Sequence, residues 1–291
     1  MNIAIVTGAS SGMGREFVKQ IDKAYTKLNE IWVIARRQDR LVELQRSVKT
    51  PLKIVPIDLT NRKQLQVLEI LLAENKPTIK MLVNSAGYGI IGDFGKSDMK
   101  DAVGMIDLNC TALVSVTHIC LPYMSNGSRI VQLASSAAFL PQPGFAIYAA
   151  TKSFVLSFSR ALNYEVADRG IYVTAVCPGP VKTEFFELAE KNASMPAYKK
   201  LTMVNAADVV KEALKASSDR RDVSVYGTTM KLFSVLTKIC SHKWLLSIVQ
   251  NMNEKQALKE TKKQEKLKEK QSKKEHKKEK KPKKEKKDKK E

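Results

Sequence analysis

The sequence predicts an α/β fold, a single domain built on a doubly wound parallel sheet of about seven strands. Three observations support this prediction. Short apolar runs rich in Ile and Val recur without polar alternation, which is typical of parallel strands buried on both faces. Segments of helix length separate these runs, as in chains that join parallel strands by crossover helices. The first run also ends in a glycine-rich turn.

The predicted elements alternate along the chain. Strands are predicted at residues 2–7, 30–35, 52–57, 80–84, 128–134, 171–177 and 222–226. Helices are predicted at residues 13–28, 38–48, 61–74, 98–122, 148–168 and 206–218. The third helix has Thr60 or Asn61 as its candidate N-cap, because short polar side chains accept hydrogen bonds from first-turn N–H groups.

The glycine-rich turn lies between the first predicted strand and the first predicted helix. It reads Thr7-Gly8-Ala9-Ser10-Ser11-Gly12-Met13-Gly14. The spacing is Gly-x-x-x-Gly-x-Gly and differs from the commoner Gly-x-Gly-x-x-Gly pattern. A strand that ends in such a turn and enters a helix aims free backbone N–H groups at a pyrophosphate. The turn therefore predicts a dinucleotide-binding site.

Tyr148 and Lys152 form the centre of the predicted active site, with Ser135 thirteen residues before the tyrosine. On a helix, a spacing of four places the Tyr and Lys side chains on one face. A free phenol has a pKa near ~10, and a neighbouring ammonium lowers that pKa and makes the phenol a usable acid. Ser135 follows an apolar run that predicts a buried strand, so its hydroxyl is expected to hydrogen-bond a substrate oxygen beside Tyr148.

Together with Asn84-Ser85-Ala86-Gly87, Asn109 and Pro178-Gly179-Pro180-Val181-x-Thr183, these motifs resemble the short-chain dehydrogenase/reductase family. The resemblance covers roughly residues 1–227, in the family's order and spacing. It implies a Rossmann-like fold and the catalytic residues Asn109, Ser135, Tyr148 and Lys152. In that set Tyr148 donates the proton and Ser135 positions the substrate oxygen. Lys152 lowers the tyrosine pKa and holds the ribose, and Asn109 holds a helix kink and a water linked to Lys152.

The resemblance also implies the cofactor-binding residues. They are Gly8, Ser10, Ser11, Gly12, Met13, Gly14, Arg36, Arg37, Asp58, Leu59, Asn84, Ala86, Gly87, Tyr148, Lys152, Pro178, Gly179, Val181 and Thr183. Thr183 matches the family residue that hydrogen-bonds the carboxamide of the nicotinamide. Asp58 matches the family acid that hydrogen-bonds the adenine amino group. Asp58 alternatively belongs to a helix cap. Ser85 departs from the family's usual Asn, which puts one support of the central strand in doubt.

The end of the second predicted strand bears on the choice between NAD and NADP. An acidic residue at this place would accept hydrogen bonds from the ribose 2′-OH of NAD. Ala35 stands there instead and Arg36 follows, and a guanidinium suits a 2′-phosphate in geometry and charge. The family pattern agrees, so NADP(H) is the expected cofactor. The alternative is a solvated pair, Arg36 and Arg37, on a loop.

Other residues near the motifs have two interpretations each. Asn109 lies in an otherwise apolar helix, where its amide is alternatively an internally bonded core group. Ser136 is expected to point away from Ser135 and to hydrogen-bond locally. Residues 139–145 are expected to form a wall of the substrate pocket or simply a stiff loop. Residues 184–204 match the family's substrate lid, whose apolar side chains suggest an apolar substrate or serve packing alone. Those side chains are Phe185, Phe186, Leu188, Met195 and Tyr198.

Composition limits the remaining possibilities. The 291-residue chain has 43% hydrophobic residues, enough for a core, and a formal net charge of +20. Four cysteines show no Cys-x-x-Cys pair and no His partner at metal spacing, so we expect reduced thiols and no metal site. No signal peptide and no uninterrupted run of 18 apolar residues is present, which favours a cytoplasmic protein without a transmembrane helix.

The C-terminal part divides into two predicted pieces after a catalytic domain at residues 1–228. Residues 229–253 carry apolar side chains at spacings of three and four, which predicts one broken or two short amphipathic helices. These helices pack on the body or in an oligomer interface, rest on a membrane surface, or close the pocket. Residues 254–291 are a Lys/Glu-rich low-complexity tail, predicted to be disordered or a fraying helix. The tail lacks interleaved aromatic residues, which argues against base recognition.

The resemblance thus implies an NADPH-dependent oxidoreductase that interconverts a ketone or aldehyde and an alcohol. A steroid, bile acid, acyl chain or xenobiotic carbonyl would fit an apolar pocket. The expected assembly is a homo-oligomer, a dimer or tetramer, with peripheral membrane contact through residues 229–291 as an option. The alternatives are a catalytically silent cofactor-binding scaffold, or an adaptor that acts through its basic tail.

Overall fold

The computed structural model describes residues 1–193 and 202–251. Two lid residues, Met195 and Tyr198, and the Lys-rich tail from residue 254 therefore lie outside the described residues. Contacts divide the chain into two compact units, Met1–His242 and Lys243–Glu291. The predicted boundaries after residues 228 and 253 remain predictions.

Seven parallel strands form the central sheet of the first unit. They are β1 (Asn2–Thr7), β2 (Glu30–Ile34), β3 (Leu52–Val55), β4 (Thr78–Asn84), β5 (Met124–Leu133), β6 (Tyr172–Val176) and β9 (Val223–Ser224). Their order is β3-β2-β1-β4-β5-β6-β9, so the chain changes direction between β1 and β4. The predicted doubly wound sheet is confirmed. Ligands of such sheets bind at the carboxyl ends of the strands beside this switch point.

The described part of this unit also contains nine α-helices, several short 3₁₀ segments and a short second sheet. The helices are α1 (Gly12–Ala24), α2 (Gln38–Gln45), α3 (Arg62–Asn75), α4 (Met99–Ile106), α5 (Leu113–Cys120), α6 (Ala146–Glu165), α7 (Phe185–Ala189), α8 (Ala206–Ser218) and α9 (Thr228–Ile239). β7 (Val181–Lys182) pairs with β8 (Val204–Asn205). The predicted N-cap of α3 is Asn61, whose Oδ1 accepts from the N–H groups of Lys63 and Gln64.

Both faces of the sheet are covered by apolar side chains. Ile5 of β1 belongs to the cluster on one face with Leu68 of α3, and Val6 belongs to the opposite cluster with Phe17 of α1. Burying an apolar side chain of this size contributes about 1.5–3 kcal/mol. Because successive strand residues face opposite layers, both must be apolar, which explains why the strands lack polar alternation.

The predicted helix 98–122 is interrupted by a π-helical segment, Asp107–Ala112, between α4 and α5. Among the described residues, the helical run Met99–Tyr123 is the one long and apolar enough to span a membrane by length and composition. A core helix passes the same test, and this one places Val116 in the cluster on the sheet and Met105 in a cluster with Tyr148.

The predicted amphipathic region contains two described helices. The first is α9, whose Phe233 ring centroid lies 6.5 Å from that of Phe139. The second covers residues 242–251, after a break at Cys240 and Ser241. All four cysteines are free, and three of them are buried, as the apolar runs around them predict.

Candidate active site

The glycine-rich turn is tightly packed at the carboxyl end of β1. Gly8 has a φ of +66°, and a Cβ there would lie 2.8 Å from the backbone of Ala86. A Cβ at Gly14 would meet the carbonyl oxygen of Gly8. Only glycine fits at these two positions, because one needs a left-handed conformation and the other a close approach of two backbones. The turn thus brings the start of α1 close to the carboxyl end of β4.

The first turn of α1 suits an anion. Its N-cap, Ser11, makes no side-chain capping bond, and the first turn contains no acidic residue. The N–H groups of Gly12 and Met13 therefore face no carboxylate of their own helix. This donor set fits the pyrophosphate of a dinucleotide, since helix N-termini combine free N–H groups with a positive dipole end.

The loop after β6 returns to the glycine-rich turn. A Cβ at Gly12 would lie 3.3 Å from Thr183, and the carbonyl of Pro178 accepts a 2.8 Å hydrogen bond from the N–H of Ser136. Gly179 packs against Met230 of α9, and Val181 is buried. The structure therefore brings the predicted phosphate and carboxamide loops together.

Arg36 and Asp58 lie beside each other after β2 and β3. Arg36 Nη1 is 3.8 Å from Asp58 Oδ2, and the Arg36 side chain is 75% exposed. Asp58 Oδ1 accepts from the N–H (3.0 Å) and hydroxyl (2.8 Å) of Thr60, which precedes the N-cap Asn61, so Asp58 does not cap α3 itself. Leu59 is buried in the apolar cluster on one face of the sheet. An exposed guanidinium and a carboxylate thus stand together at this end of the cleft.

Arg37 belongs to a charged cluster that sequence reasoning identified only in part. Arg37 Nη2 donates to Ser10 Oγ (3.2 Å), and Arg37 Nη1 donates to Glu184 Oε2 (3.0 Å). Arg40 Nη1 donates to the other Glu184 oxygen, also at 3.0 Å. The hydrogen bond from Arg37 lowers the pKa of Glu184, which therefore stays ionised at neutral pH. Arg40 and Glu184 were missed, since no local pattern relates positions 144 residues apart.

Tyr148 and Lys152 lie one turn apart on α6, as predicted. The Tyr148 ring is stacked on Phe145 with 4.2 Å between centroids, and Phe185 of α7 covers it at 5.5 Å. Lys152 Nζ lies 5.6 Å from the Tyr148 ring centroid and donates a 2.6 Å hydrogen bond to the carbonyl of Leu133. Ser135 Oγ accepts from the N–H of Ala137 (3.1 Å), and its side chain hydrogen-bonds to Tyr148. Ser135, Tyr148 and Lys152 therefore converge.

The expected lowering of the Tyr148 pKa by Lys152 is wrong for the protein alone. Burial raises the pKa of Tyr148 to about 12, and the hydrogen bond from Ser135 opposes this only in part. Burial also lowers the pKa of Lys152 to about 8. Both shifts have one cause, because a desolvated site disfavours the charged form of either group. The spacing of four residues predicts proximity, whereas the enclosing aromatic rings decide the pKa.

Asn109 lies inside the π-helical segment and is fully buried. Its Oδ1 accepts from the N–H of Tyr88 (3.0 Å), while its Nδ2 donates to the Tyr88 carbonyl (2.8 Å) and to Thr151 Oγ1 (3.0 Å). A Cβ at Gly87 would lie 2.8 Å from Asn109 Oδ1 and 3.5 Å from Lys152 Nζ. The structure thus contains the helix irregularity that the family resemblance implies. The Asn109 amide is also hydrogen-bonded within the protein, as the alternative interpretation predicts.

Asn84 ends β4 with its side chain turned into the protein. Asn84 Nδ2 donates to Thr117 Oγ1 (2.9 Å), and Gln132 Nε2 donates to the same oxygen (3.1 Å). The N–H of Ser85 bonds Thr7 Oγ1 at 3.0 Å, so the departure from the family's Asn leaves this backbone group satisfied. The side-chain amide of Asn84 thus links the end of β4 to α5. The cofactor-binding role predicted for Asn84 stays a prediction.

A small pocket lies near the start of α6, and none of Ser135, Tyr148 and Lys152 lines it. It is lined by Ile90, Gly92, Phe94, Ser97, Asp101, Met105, Ala146, Ile147 and Asn192. The N–H of Ile91 bonds the carbonyl of Ala189 at 2.9 Å, and Lys191 Nζ is 2.9 Å from Asp101 Oδ2. These bonds hold Ala189 and Lys191, two residues of the predicted lid segment, against the loop after β4 and against α4.

Comparisons with known proteins agree with this geometry. The family model for short chain dehydrogenase matches residues 2–194. Sulfoacetaldehyde reductase 2 of Chromohalobacter salexigens is 33% identical over 72% of this chain and 85% of that protein. A short-chain dehydrogenase from Sphingobium yanoikuyae, solved in complex with NADPH, is 29% identical, with a TM-score of 0.68 over 77% of this chain and 87% of that one. A bulky-bulky ketone specific alcohol dehydrogenase from Comamonas testosteroni is 26% identical, with a TM-score of 0.67 over 85% of this chain and 94% of that one.

The fold and the site define an oxidoreductase that uses a nicotinamide dinucleotide and acts on carbonyl or alcohol groups. The chain belongs to the short-chain dehydrogenase/reductase family. The resemblance noted from its motifs is thereby confirmed.

Proposed function

We propose that the protein is an NADPH-dependent reductase of a ketone or aldehyde, reversible as an alcohol dehydrogenase. The single observation that carries the proposal is the convergence of Ser135, Tyr148 and Lys152 beside the glycine-rich turn. Support for the phosphorylated cofactor comes from Ala35, which leaves no acid to bind a ribose hydroxyl, and from exposed Arg36. A relative solved with NADPH adds to this support.

The bound cofactor supplies a hydride for the carbonyl carbon, and this chain's residues handle the proton. The Tyr148 hydroxyl protonates the carbonyl oxygen, which Ser135 Oγ holds by a hydrogen bond. A phenol with a pKa of about 12 remains a stronger acid than the alcohol that forms, so it can donate the proton. Lys152 carries positive charge below its pKa of about 8 and would hold the ribose of the bound cofactor. Asn109 keeps the kinked helix in place behind Lys152.

The proposed substrate is an apolar carbonyl compound. Phe145 and Phe185 enclose Tyr148, and Phe186 packs edge-on to Phe185 at 5.2 Å. The bulky-bulky ketone specific alcohol dehydrogenase, to which this chain is 26% identical, also supports an apolar carbonyl substrate. The sulfoacetaldehyde reductase acts on a small charged aldehyde, so such a compound is the natural competitor in a substrate screen.

We propose a homo-oligomer that uses the outer faces of α4 and α6. Met99, Val103 and Ile106 recur on α4 at helical spacing and are exposed, as is Phe154 on α6. An exposed apolar patch of this kind is typical of a subunit interface. Sedimentation of the purified protein at several concentrations tests this proposal, and a monomer at every concentration contradicts it.

The experiment that tests the function is a spectrophotometric screen of ketones and aldehydes with NADPH, and of alcohols with NADP⁺. We expect turnover of at least one bulky apolar ketone, with NADPH preferred over NADH. A protein that binds NADPH tightly but reduces no carbonyl would instead be a silent scaffold. A preference for sulfoacetaldehyde over every apolar ketone would contradict the proposed apolar substrate but would agree with the proposed carbonyl reduction.

Arg36→Asp should reverse much of the cofactor preference. The new carboxylate repels a 2′-phosphate and offers an acceptor to a ribose hydroxyl, so the NADPH/NADH ratio of kcat/KM should fall by ~10-fold or more. Arg46→Asp makes the same charge change at an exposed position at the end of α2 and should leave the ratio unchanged. Steady-state kinetics with both cofactors decide the outcome, and a wild-type preference for NADH would contradict the cofactor proposal.

Two truncations should separate the C-terminal pieces. A chain that ends at Asn253 lacks only the Lys-rich tail, so its stability should stay within ~1 kcal/mol and its kcat on a soluble substrate should persist. A chain that ends at Gly227 loses α9, and with it the packing of Met230 on Gly179 and of Phe233 on Phe139. It should aggregate, change oligomeric state or lose activity on bulky substrates. Melting, light scattering and kinetics test both, and an unchanged shorter chain refutes the role of α9.

A further inference from the structure

Helix α9 has two apolar faces, and in the part of the chain that the structure describes only one of them is buried. Met230 and Phe233 face the body, and Thr237 is buried. On the outer face, a stripe of four aliphatic side chains is between 40% and 76% exposed. The stripe consists of Leu232, Val235, Leu236 and Ile239. Spacings of three, four and seven place these four side chains on one side of the helix.

We propose that this outer stripe docks on an anionic lipid surface, with α9 lying parallel to it. An exposed apolar patch of this size marks a surface that is covered in use. Docking of α9 on lipid does not depend on which carbonyl compound the active site reduces.

The positive charge around α9 indicates that the surface covering the stripe is anionic. No Asp or Glu occurs between Val223 and Asn253, and within that range Lys231, Lys238 and Lys243 are exposed. The sequence from residue 254 to 291 then adds nineteen Lys against nine acidic residues, half of the net charge of +20. An apolar helix face and a polybasic segment are the two signals that together give stable peripheral binding to anionic membranes.

Other occupants fit the stripe less well. In a two-fold pairing of α9 with α9, Lys231 and Lys238 of each copy would face the same lysines, and like charges across an interface oppose association. Residues 252–291 contain only three sizeable apolar side chains, Met252, Leu258 and Leu267, and so offer little apolar surface to match the stripe. Nucleic acid would use the lysines but would leave the four aliphatic side chains in water.

The test is co-sedimentation of the full-length protein with lipid vesicles. Vesicles of phosphatidylcholine alone are compared with vesicles that contain ~30% phosphatidylglycerol, at salt from about 0.05 M to about 0.5 M. We expect binding to the anionic vesicles only, weakening as salt rises. Leu232→Ser with Ile239→Ser should lower the partition coefficient by ~10-fold or more. The matched control, Val67→Ser with Ile70→Ser on exposed positions of α3, should change it by less than about 2-fold.

A charge-reversal variant keeps the test decisive if the serine variant is poorly folded. Lys231→Glu with Lys238→Glu retains the stripe and should also weaken binding to anionic vesicles, with kcat on a soluble substrate unchanged. The proposal is overturned if wild type binds neither kind of vesicle, or if the serine variant binds as tightly as wild type, since the Lys-rich segment would then act alone. A serine variant that folds but changes oligomeric state would make the stripe a subunit interface and equally overturn it.

Discussion

Tyr148→Phe should lower kcat by roughly 100-fold or more while leaving cofactor affinity within about 2-fold. The substitution removes the transferable proton but keeps the ring that stacks on Phe145 at 4.2 Å, so the aromatic wall stays in place. Lys152 also keeps its 2.6 Å hydrogen bond to Leu133, and the ribose side of the site is unchanged. Single-turnover kinetics and a cofactor titration measure the two effects separately.

Tyr164→Phe is the matched control, since Tyr164 lies on the same helix and its side chain is exposed. It should retain wild-type kcat and wild-type stability. Near-normal kcat in Tyr148→Phe would remove this phenol from the mechanism and would transfer the proton step to another group or to water.

Gly14→Ala should prevent cofactor binding and destabilise the fold. The added methyl group would meet the carbonyl oxygen of Gly8 and lie 2.7 Å from the carbonyl carbon, both parts of backbone that cannot swing aside. Relief requires α1 to move away from the end of β1, which spreads the N–H groups proposed to hold the pyrophosphate. Forcing atoms into a packed site costs about 1–3 kcal/mol or more. We expect a ~10-fold or larger loss of NADPH affinity and a lower melting temperature.

Gly95→Ala adds the same methyl group at a glycine where nothing lies within 4 Å of the new atom. Its melting temperature and NADPH affinity should match those of wild type. If Gly14→Ala behaves like this control, the close approach of the two backbones is not what shapes the turn.

The strands and the glycine-rich turn were predictable because each depends on local sequence. Burial on both faces demands continuous apolar runs, and the tight turn before α1 demands glycine at Gly8 and Gly14. The proximity of Tyr148 and Lys152 followed from helix geometry alone. Their protonation did not, because Phe145 and Phe185 come from two different segments and together exclude water from the phenol.

Features that depend on long-range contacts could not be predicted from the sequence. The irregular segment around Asn109 was expected from the family resemblance, but its bonds to Tyr88 and Thr151 depend on how α4 and α6 pack. The pairing of Glu184 with Arg37 and Arg40 joins positions that are 147 and 144 residues apart in the sequence. The exposure of the outer face of α9 could not be predicted, because the sequence does not show which face of the helix packs on the body.

Glu184 connects the two ends of the cleft through a single peptide segment. Its carboxylate is held by Arg37 and Arg40 beside Ser10. The residue before it, Thr183, rests on Gly12, and the residue after it, Phe185, packs on Tyr148. Because Arg37 and Arg40 each bond one Glu184 oxygen, an anion that took Arg37 alone would leave Glu184 bonded to Arg40. One peptide segment, Thr183 to Phe185, therefore contacts both the glycine-rich turn and the Tyr148 ring.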